Sequence, residues 1–232
     1  MGDEFRRLRL VALNIDGVLL NDTFSPVIHR FITGRGGAYT EDTERAVFSQ
    51  PRRIAGQRMA EALGGVMSGD EALAAYFRER DRYLAEHPVR IQAGAVDLLH
   101  RLRGLGLSTV CYGGLGKEHF TAFLGAYEDL FDAPGYVCTD AFRPGLHEIV
   151  TEYFGLKHEQ VLFVDDVARV AEEARLLGMP FVGMPTTFEH SHQRALMRRA
   201  GVRRLIDGLD AIDEGLLRAV DADAAAGTLW GG

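Results

Sequence analysis

The chain has 232 residues, of which 47% are hydrophobic and 25% charged, so it can bury a large core. Its formal net charge of -7 argues against an extended nucleic-acid surface, because phosphate backbones require clustered Lys and Arg. The first apolar run follows several charged residues and is too short for a secretion signal or a membrane span, so we expect a cytoplasmic protein that binds neither nucleic acid nor membrane.

The stretch from Leu8 to Leu20 predicts a buried strand near the N-terminus. Because side chains alternate along a strand, Asn14 and Asp16 point to the same side. Ligands of α/β folds bind at the carboxyl ends of strands, and Gly17 leaves the backbone free to turn there. The pattern is compatible with a phosphate or metal site, and equally with an ordinary strand that ends in polar residues.

The next interval, residues 21–88, predicts a small helical insertion. Its predicted helices begin near Val27 and Glu41 and then cover residues 53–63 and 69–86. In the last of these, apolar residues recur at steps of three and four, as an amphipathic helix requires. The insertion therefore separates the first strand from the rest of the predicted sheet.

After the insertion, strands alternate with helices to the end of the predicted sheet. The strands are predicted at residues 107–111, 135–138, 161–164 and 181–184, with helices at residues 95–105, 117–130, 145–154 and 168–177. Such alternation predicts an α/β fold with a doubly wound parallel sheet and sites at its carboxyl edge. The Ala- and Gly-rich residues 221–232 are expected to form a flexible tail unless Leu229 and Trp230 dock.

Both cysteines, Cys111 and Cys138, fall in predicted strands of this sheet. We expect both to be buried, where a free thiol behaves as a small hydrophobe. A disulfide is the less favoured alternative, because the expected compartment is reducing.

Four segments in this order resemble the motifs of the haloacid dehalogenase (HAD) superfamily of phosphatases and related hydrolases. They are Asn14-x-Asp16-Gly17-Val18, Val110-Cys111-Tyr112-Gly113-Gly114, Arg143-Pro144 and Asp165-Asp166. The resemblance spans most of the chain. It implies a HAD-like α/β core at residues 1–20 and 89–220, and a helical cap at residues 21–88 that closes over the site and selects the substrate.

The resemblance also implies roles for the first motif. In the family pattern, the position of Asn14 holds an aspartate that attacks phosphorus. A neutral amide is a poor nucleophile, so the covalent route lacks its first reactant. The second family acid is present as Asp16, whose implied role is general acid and base.

The second motif departs from the pattern at the position that usually holds a Ser or Thr. The predicted strand end places Tyr112 there, and Gly113 and Gly114 can still offer backbone N–H groups to a ligand. The tyrosine ring is larger than a Ser or Thr side chain, so we expect it to obstruct the pocket.

Arg143 stands where the third motif usually has a lysine. It keeps the positive charge and can bind an anion bidentately, or it can form an ion pair with Asp165 or Asp16; both readings stay open. The fourth motif, Asp165 and Asp166, is intact. The resemblance implies an Mg²⁺ site formed with residue 14 and the backbone carbonyl of Asp16, which the amide of Asn14 is expected to weaken or abolish.

Together these departures predict a HAD-fold protein that has lost phosphatase chemistry. We expect it to bind a small anionic metabolite or a protein partner. The alternative is an active HAD-type hydrolase that uses Asp16, Asp165 and Asp166 with Mg²⁺ on a small substrate. A third reading is a structural protein that forms a homo-oligomer through its cap.

Overall fold

The central sheet forms because five short apolar runs are each buried from both sides. In the computed structural model, which describes residues 4–231, its strand order is β3-β2-β1-β4-β5 and every pairing is parallel. The strands are β1 (Leu10–Asn14), β2 (Ser108–Gly113), β3 (Tyr136–Cys138), β4 (Val161–Asp165) and β5 (Phe181–Gly183). The predicted parallel α/β sheet is thereby confirmed.

Helices cover both faces of this sheet, as a doubly wound fold requires. Four of them follow β1: α1 (Ser25–Thr33), α2 (Glu41–Val47), α3 (Arg52–Ala62) and α4 (Gly69–Glu86). The others are α5 (Ala95–Gly104), α6 (Lys117–Leu124), α7 (Leu146–Glu148, continued by the π-helix Ile149–Tyr153), α8 (Ala168–Leu176), α9 (Gln193–Arg199) and α10 (Glu214–Ala226). None of the helices within residues 4–231 is both long and apolar enough to cross a membrane.

Alternation along β1 divides the core into two layers. Leu10 and Ala12 face a layer that includes side chains of α1, α7, α8 and α9, whereas Val11 and Leu13 face a layer formed with α5, α6 and α10. Asn14 continues the first series, so its side chain emerges on the face that α1 covers. The register of the sheet therefore decides which polar residues meet beside it.

The helices α1–α4 form an insert between β1 and α5. The two chain segments that connect the insert to the sheet run side by side. Asn21 donates its backbone N–H to the carbonyl of Arg90 at 3.0 Å, and Gln92 donates its backbone N–H to the carbonyl of Leu19 at 2.9 Å. The buried carboxylate of Glu44 on α2 accepts hydrogen bonds from Ser191 Oγ and the backbone of residue 192 at 2.8 and 2.7 Å. These contacts hold the insert over the carboxyl edge of the sheet and leave a crevice there.

A flexible C-terminal segment at residues 221–232 is expected only if Leu229 and Trp230 do not dock, and both pack against the core. Helix α10 extends to Ala226, and its buried Asp221 accepts hydrogen bonds from the backbone N–H groups of residues 6–8 at 2.7–2.8 Å. Trp230 stacks on Phe181 with 6.0 Å between ring centroids. The segment is ordered because it binds the chain just before β1, a partner more than 210 residues away that composition does not reveal.

The two cysteines are both free, but only Cys111 is buried as expected. Cys138 is exposed because it is the last residue of β3, an edge strand with a neighbour on one side only. Its thiol therefore does not belong to the core.

Candidate functional site

A row of three polar side chains crosses the carboxyl edge of the sheet. Asn14 on β1 is paired with Tyr112 on β2. On the other side of β1, Leu13 is paired with Val164 of β4, so the next residue, Asn14, lies beside Asp165. Partners in register project to the same face, so all three side chains meet below the insert. We call these residues, together with Asp16 and Asp166, the crevice floor.

The amide of Asn14 is bound to two oxygens of the floor. Its Nδ2 donates to the backbone carbonyl of Asp16 at 2.8 Å and to Oδ1 of Asp166 at 2.9 Å. With no cation between the two groups, the amino group of Asn14 and not its amide oxygen faces this carbonyl, because a backbone carbonyl can only accept a hydrogen bond. The amide therefore joins the turn after β1 to the end of β4.

Tyr112 does not obstruct the crevice. Its side chain is fully buried in the core, with its ring edge-to-face against Phe163, and its hydroxyl donates to Oδ2 of Asp165 at 2.5 Å. The other oxygen of Asp165 accepts the N–H of Val167 at 2.8 Å. Both oxygens of this carboxylate are thus already hydrogen-bonded. Tyr112 therefore holds Asp165 in place and does not line the cavity.

Gly114 lies at the cavity instead, because β2 continues to Gly113, beyond its predicted end. A Cβ at Gly114 would collide with Nη1 of Arg143, so the absence of a side chain admits the guanidinium. Arg143 Nη2 is 3.2 Å from Ser49 Oγ, and its Nε is buried without a hydrogen-bond partner within residues 4–231. In the described chain Arg143 forms no ion pair with Asp165, Asp16 or another carboxylate within 4.0 Å, so its charge is available to a ligand.

Asp16 faces the crevice and is held by a histidine that the sequence did not single out. Its Oδ1 lies 2.9 Å from Nε2 of His119, and both side chains are largely buried. His119 belongs to α6, and no spacing or motif links a residue on this helix to the end of β1. Only the packing of α6 on the sheet brings the pair together.

The two acids of the fourth motif hold protons more tightly than exposed aspartates do. Burial raises the pKa of Asp166 well above its ordinary value, and the charge of Asp165 raises it further, although the hydrogen bond from Asn14 opposes both effects. Burial also raises the pKa of Asp165, to about 6, against the stabilising hydrogen bonds from Tyr112 and Val167. The floor is therefore less negative near pH 7 than two free carboxylates would be.

The donor set of the floor does not fit Mg²⁺, which requires oxygen lone pairs directed at one point. Two of the oxygens that the HAD pattern assigns to the metal, the carbonyl of Asp16 and Oδ1 of Asp166, instead receive the N–H bonds of Asn14. Among residues 4–231, no group of three or more His, Cys, Asp or Glu has a geometry that could hold a metal ion. The amide thus occupies the position between these oxygens that a cation would need.

Above the floor lies a cavity of about 120 Å³ between the sheet edge and the insert. On the insert side it is lined mostly by apolar side chains, which we call the insert wall: Phe24, Ile28, Phe48, Met59, Leu73 and Phe77. The floor supplies Asn14, Asp16 and Asp166, with Gly114 and Arg143 beside them. The cavity thus combines an apolar wall with a few converging polar groups, as small-molecule sites do.

Comparison with known proteins gives no match to a family model and none to a curated protein sequence. Solved structures do match. A phosphonoacetaldehyde hydrolase-like protein from Oleispira antarctica has a TM-score of 0.68 and 17% identity, with 98% of each chain covered. A haloacid dehalogenase-like protein from Agrobacterium tumefaciens has a TM-score of 0.64 and 21% identity, covering 94% of this chain and 99% of its own.

A HAD family hydrolase from Deinococcus radiodurans, solved with bound phosphate and sodium, has a TM-score of 0.59 and 16% identity, covering 94% of this chain and 97% of its own. All these identities are low, so the similarity concerns the arrangement of the whole chain. The parallel direction of the strands agrees with the predicted doubly wound sheet. The chain therefore has the fold of the HAD-like hydrolases.

Proposed function

We propose that this chain binds a small molecule in the crevice and does not catalyse phosphoryl transfer. The observation that carries the proposal is the amide of Asn14, which donates hydrogen bonds to the carbonyl of Asp16 and to Asp166. A neutral amide supplies no attacking oxygen, and the amino group that forms these bonds has no lone pair to offer a metal ion. The chain would then be a pseudoenzyme on a hydrolase fold.

Binding of a small molecule is favoured over binding of a protein partner because the polar groups converge inside a cavity. The cation available to an anionic group is Arg143, which has no carboxylate partner within the described residues. Binding of a protein partner or a second copy of the chain through the insert stays a weaker proposal.

One observation favours a second candidate, an active hydrolase. Asp16 is retained and is held by His119 at 2.9 Å, an arrangement that would suit a carboxylate that exchanges protons. Such an enzyme would use Asp16 as acid and base, and it would need Asp165 and Asp166 to release their present hydrogen bonds and bind Mg²⁺. This requirement makes it the less favoured candidate.

A phosphatase assay separates the two candidates. The wild type, Asn14→Asp and Asp16→Ala are incubated with a panel of phosphate monoesters, with Mg²⁺ and with a chelator. The control variant is Asn21→Asp, which adds the same charge at the other asparagine of the chain, outside the cavity wall.

We expect no Mg²⁺-dependent turnover by the wild type. We also expect none from Asn14→Asp, because Tyr112 still binds Asp165, because Gly114 brings no hydroxyl to the cavity and because Arg143 stands in place of the usual lysine. Turnover by the wild type that requires Mg²⁺ and disappears in Asp16→Ala would overturn the proposal in favour of the hydrolase.

A further inference from the structure

Two polar atoms at the cavity lack hydrogen-bond partners within residues 4–231. Asp22 precedes α1, and its Oδ1 accepts the N–H groups of Phe24 and Ser25 at 2.9 Å, whereas its Oδ2 is buried and unpaired. Tyr76 on α4 is 3% exposed, and its hydroxyl is also buried and unpaired. Both residues line the cavity. Buried polar groups are almost always paired, so a donor inside the cavity is expected for the carboxylate.

The cavity also contains one positive group suited to a carboxylate ligand. Two arginines line it, and Arg52 is already paired with Asp140 at 2.9 Å. Arg143 has only the contact with Ser49 Oγ, and its Nε is buried and unpaired. A guanidinium offers a planar pair of N–H donors that matches a carboxylate group.

The remaining charges disfavour a phosphate ester. Asp16 and Asp22 line the same cavity, and the floor does not fit a divalent cation that could offset them. A doubly charged phosphate beside a single arginine would face these carboxylates at short range. A ligand with one negative and one positive end would instead satisfy both Arg143 and Asp22.

The apolar character of the insert wall indicates the third part of the ligand. Phe24, Phe48 and Phe77 line the cavity together with Met59, and they can bury a small aliphatic group. The volume of about 120 Å³ limits the size of that group.

We propose that the crevice binds a small α-amino acid with an apolar side chain, an inference that rests on the proposed binding function. Its carboxylate pairs with the guanidinium of Arg143, and its ammonium donates to Oδ2 of Asp22, with the hydroxyl of Tyr76 beside it. Its side chain packs against the insert wall. The polar atoms that the protein leaves unpaired are thereby paired by the ligand.

The test uses three probes that share one branched aliphatic group: L-leucine, 4-methylpentanoate, which lacks only the amino group, and 3-methylbutyl phosphate. Their affinities for the full chain are measured by titration calorimetry. We expect L-leucine to bind about tenfold more tightly than either analogue, because only its ammonium satisfies the buried acceptor on Asp22.

Three variants locate the binding. Arg143→Gln is expected to abolish binding of L-leucine, whereas Arg53→Gln, an exposed arginine outside the cavity wall, should leave it unchanged. Asp22→Asn keeps an oxygen for the N-terminus of α1 but removes the acceptor for the ammonium, so it should reduce the affinity for L-leucine to that for 4-methylpentanoate. Circular dichroism confirms that each variant is folded.

Equal binding of L-leucine and 4-methylpentanoate would overturn the inference, and so would the absence of L-leucine binding to the wild type. Tighter binding of 3-methylbutyl phosphate that depends on Arg143 would also overturn it but would leave the proposed binding function intact. The binding function itself falls only if the phosphatase assay finds Mg²⁺-dependent turnover by the wild type, so the two failures are distinguishable.

Discussion

Buried polar groups form hydrogen bonds on the crevice floor, whereas two of them on the insert side of the crevice are unpaired. On the floor, the Asn14 amide and the Tyr112 hydroxyl donate hydrogen bonds of 2.9 Å or less to neighbouring oxygens. On the insert side, Oδ2 of Asp22 and the hydroxyl of Tyr76 have no partner within the described residues. The atoms that phosphoryl transfer would use are therefore already bound internally, whereas the atoms left for a ligand belong to the insert and to the guanidinium of Arg143 beside the floor.

We expect the largest effect from Asn14→Asp, which replaces the hydrogen-bond donor of the floor by a carboxylate and so removes the difference between the two regions. In the absence of divalent cations, we expect the free energy of unfolding to fall by roughly 2–4 kcal/mol, because two hydrogen bonds are lost and like charges meet in a buried site. Urea unfolding in the presence of a chelator measures the loss. Asn21→Asp should destabilise the chain much less, because its oxygen can still accept from Arg90 and only the 3.3 Å bond to the carbonyl of Pro88 is lost, and an equal effect of the two variants would refute the role given to the amide.

A second variant, Tyr112→Phe, removes a single donor from the floor. The hydroxyl binds a buried carboxylate at 2.5 Å, so its loss should cost about 2 kcal/mol of unfolding free energy. Tyr153→Phe is the matched control, because Tyr153 is 46% exposed and its hydroxyl has no hydrogen bond within residues 4–231. If both variants are as stable as the wild type, Tyr112 does not support Asp165 as described.

Asp221, which contacts the chain just before β1, differs from the acids of the floor in how its contribution to stability depends on pH. Burial alone would raise the pKa of Asp221, but the backbone N–H groups of residues 6–8 hold it below its ordinary value. Its stabilising effect is therefore present above the ordinary aspartate pKa of about 3.9 and is lost as the pH falls through the lower folded value. The floor acids have raised pKa values, so they act in the opposite direction and reduce stability as the pH rises.

The corresponding variant is Asp221→Asn. We expect it to lose about 1 kcal/mol at pH 7, and we expect the difference from the wild type to shrink only as the pH falls through the lowered folded pKa of Asp221. Denaturant unfolding at pH 7 and at a series of acidic pH values measures the difference. A stability difference that does not shrink once the Asp221 carboxylate of the folded wild type is protonated would show that the ionised carboxylate is not what stabilises the N-terminal segment.

The smallest effect on stability is expected for Gly114→Ala, which tests whether the guanidinium of Arg143 binds the ligand in its present position. The new Cβ would collide with the guanidinium of Arg143, but this group ends a flexible side chain and can move. Stability should change by less than about 0.5 kcal/mol, whereas L-leucine binding should weaken. Gly104→Ala on α5, where a Cβ meets no atom within 4 Å, is the control for calorimetric titration, and equal binding by both variants would contradict the position given to Arg143.

The sequence predicted the sheet well because the apolar runs at its strands are continuous and their order allows few topologies. The resemblance to the HAD motifs also placed Asn14 and Asp165 together, as parts of one implied Mg²⁺ site. It misplaced Tyr112 because β2 continues to Gly113, which turns Tyr112 into a core residue and brings Gly114 to the cavity. A shift of two residues at a strand end is too small for composition to resolve.

Other parts of the site depend on packing that no local pattern encodes. His119 reaches Asp16 only because α6 lies beside the end of β1. Asp22 and Tyr76 are more than 50 residues apart in the sequence and meet at one cavity through the fold of the insert. The ordered C-terminal segment likewise depends on Asp221 contacting residues near the opposite end of the chain.

The most direct test of the account is a calorimetric titration of Mg²⁺ into the wild type and into Asn14→Asp. The amide of Asn14 donates to the oxygens that a cation would need, so we predict no binding by the wild type. Asn14→Asp replaces that donor by a carboxylate, and its affinity for Mg²⁺ should be at least about tenfold higher. Saturable binding of Mg²⁺ by the wild type, with an affinity equal to that of Asn14→Asp, would contradict the claim that the amide excludes the cation.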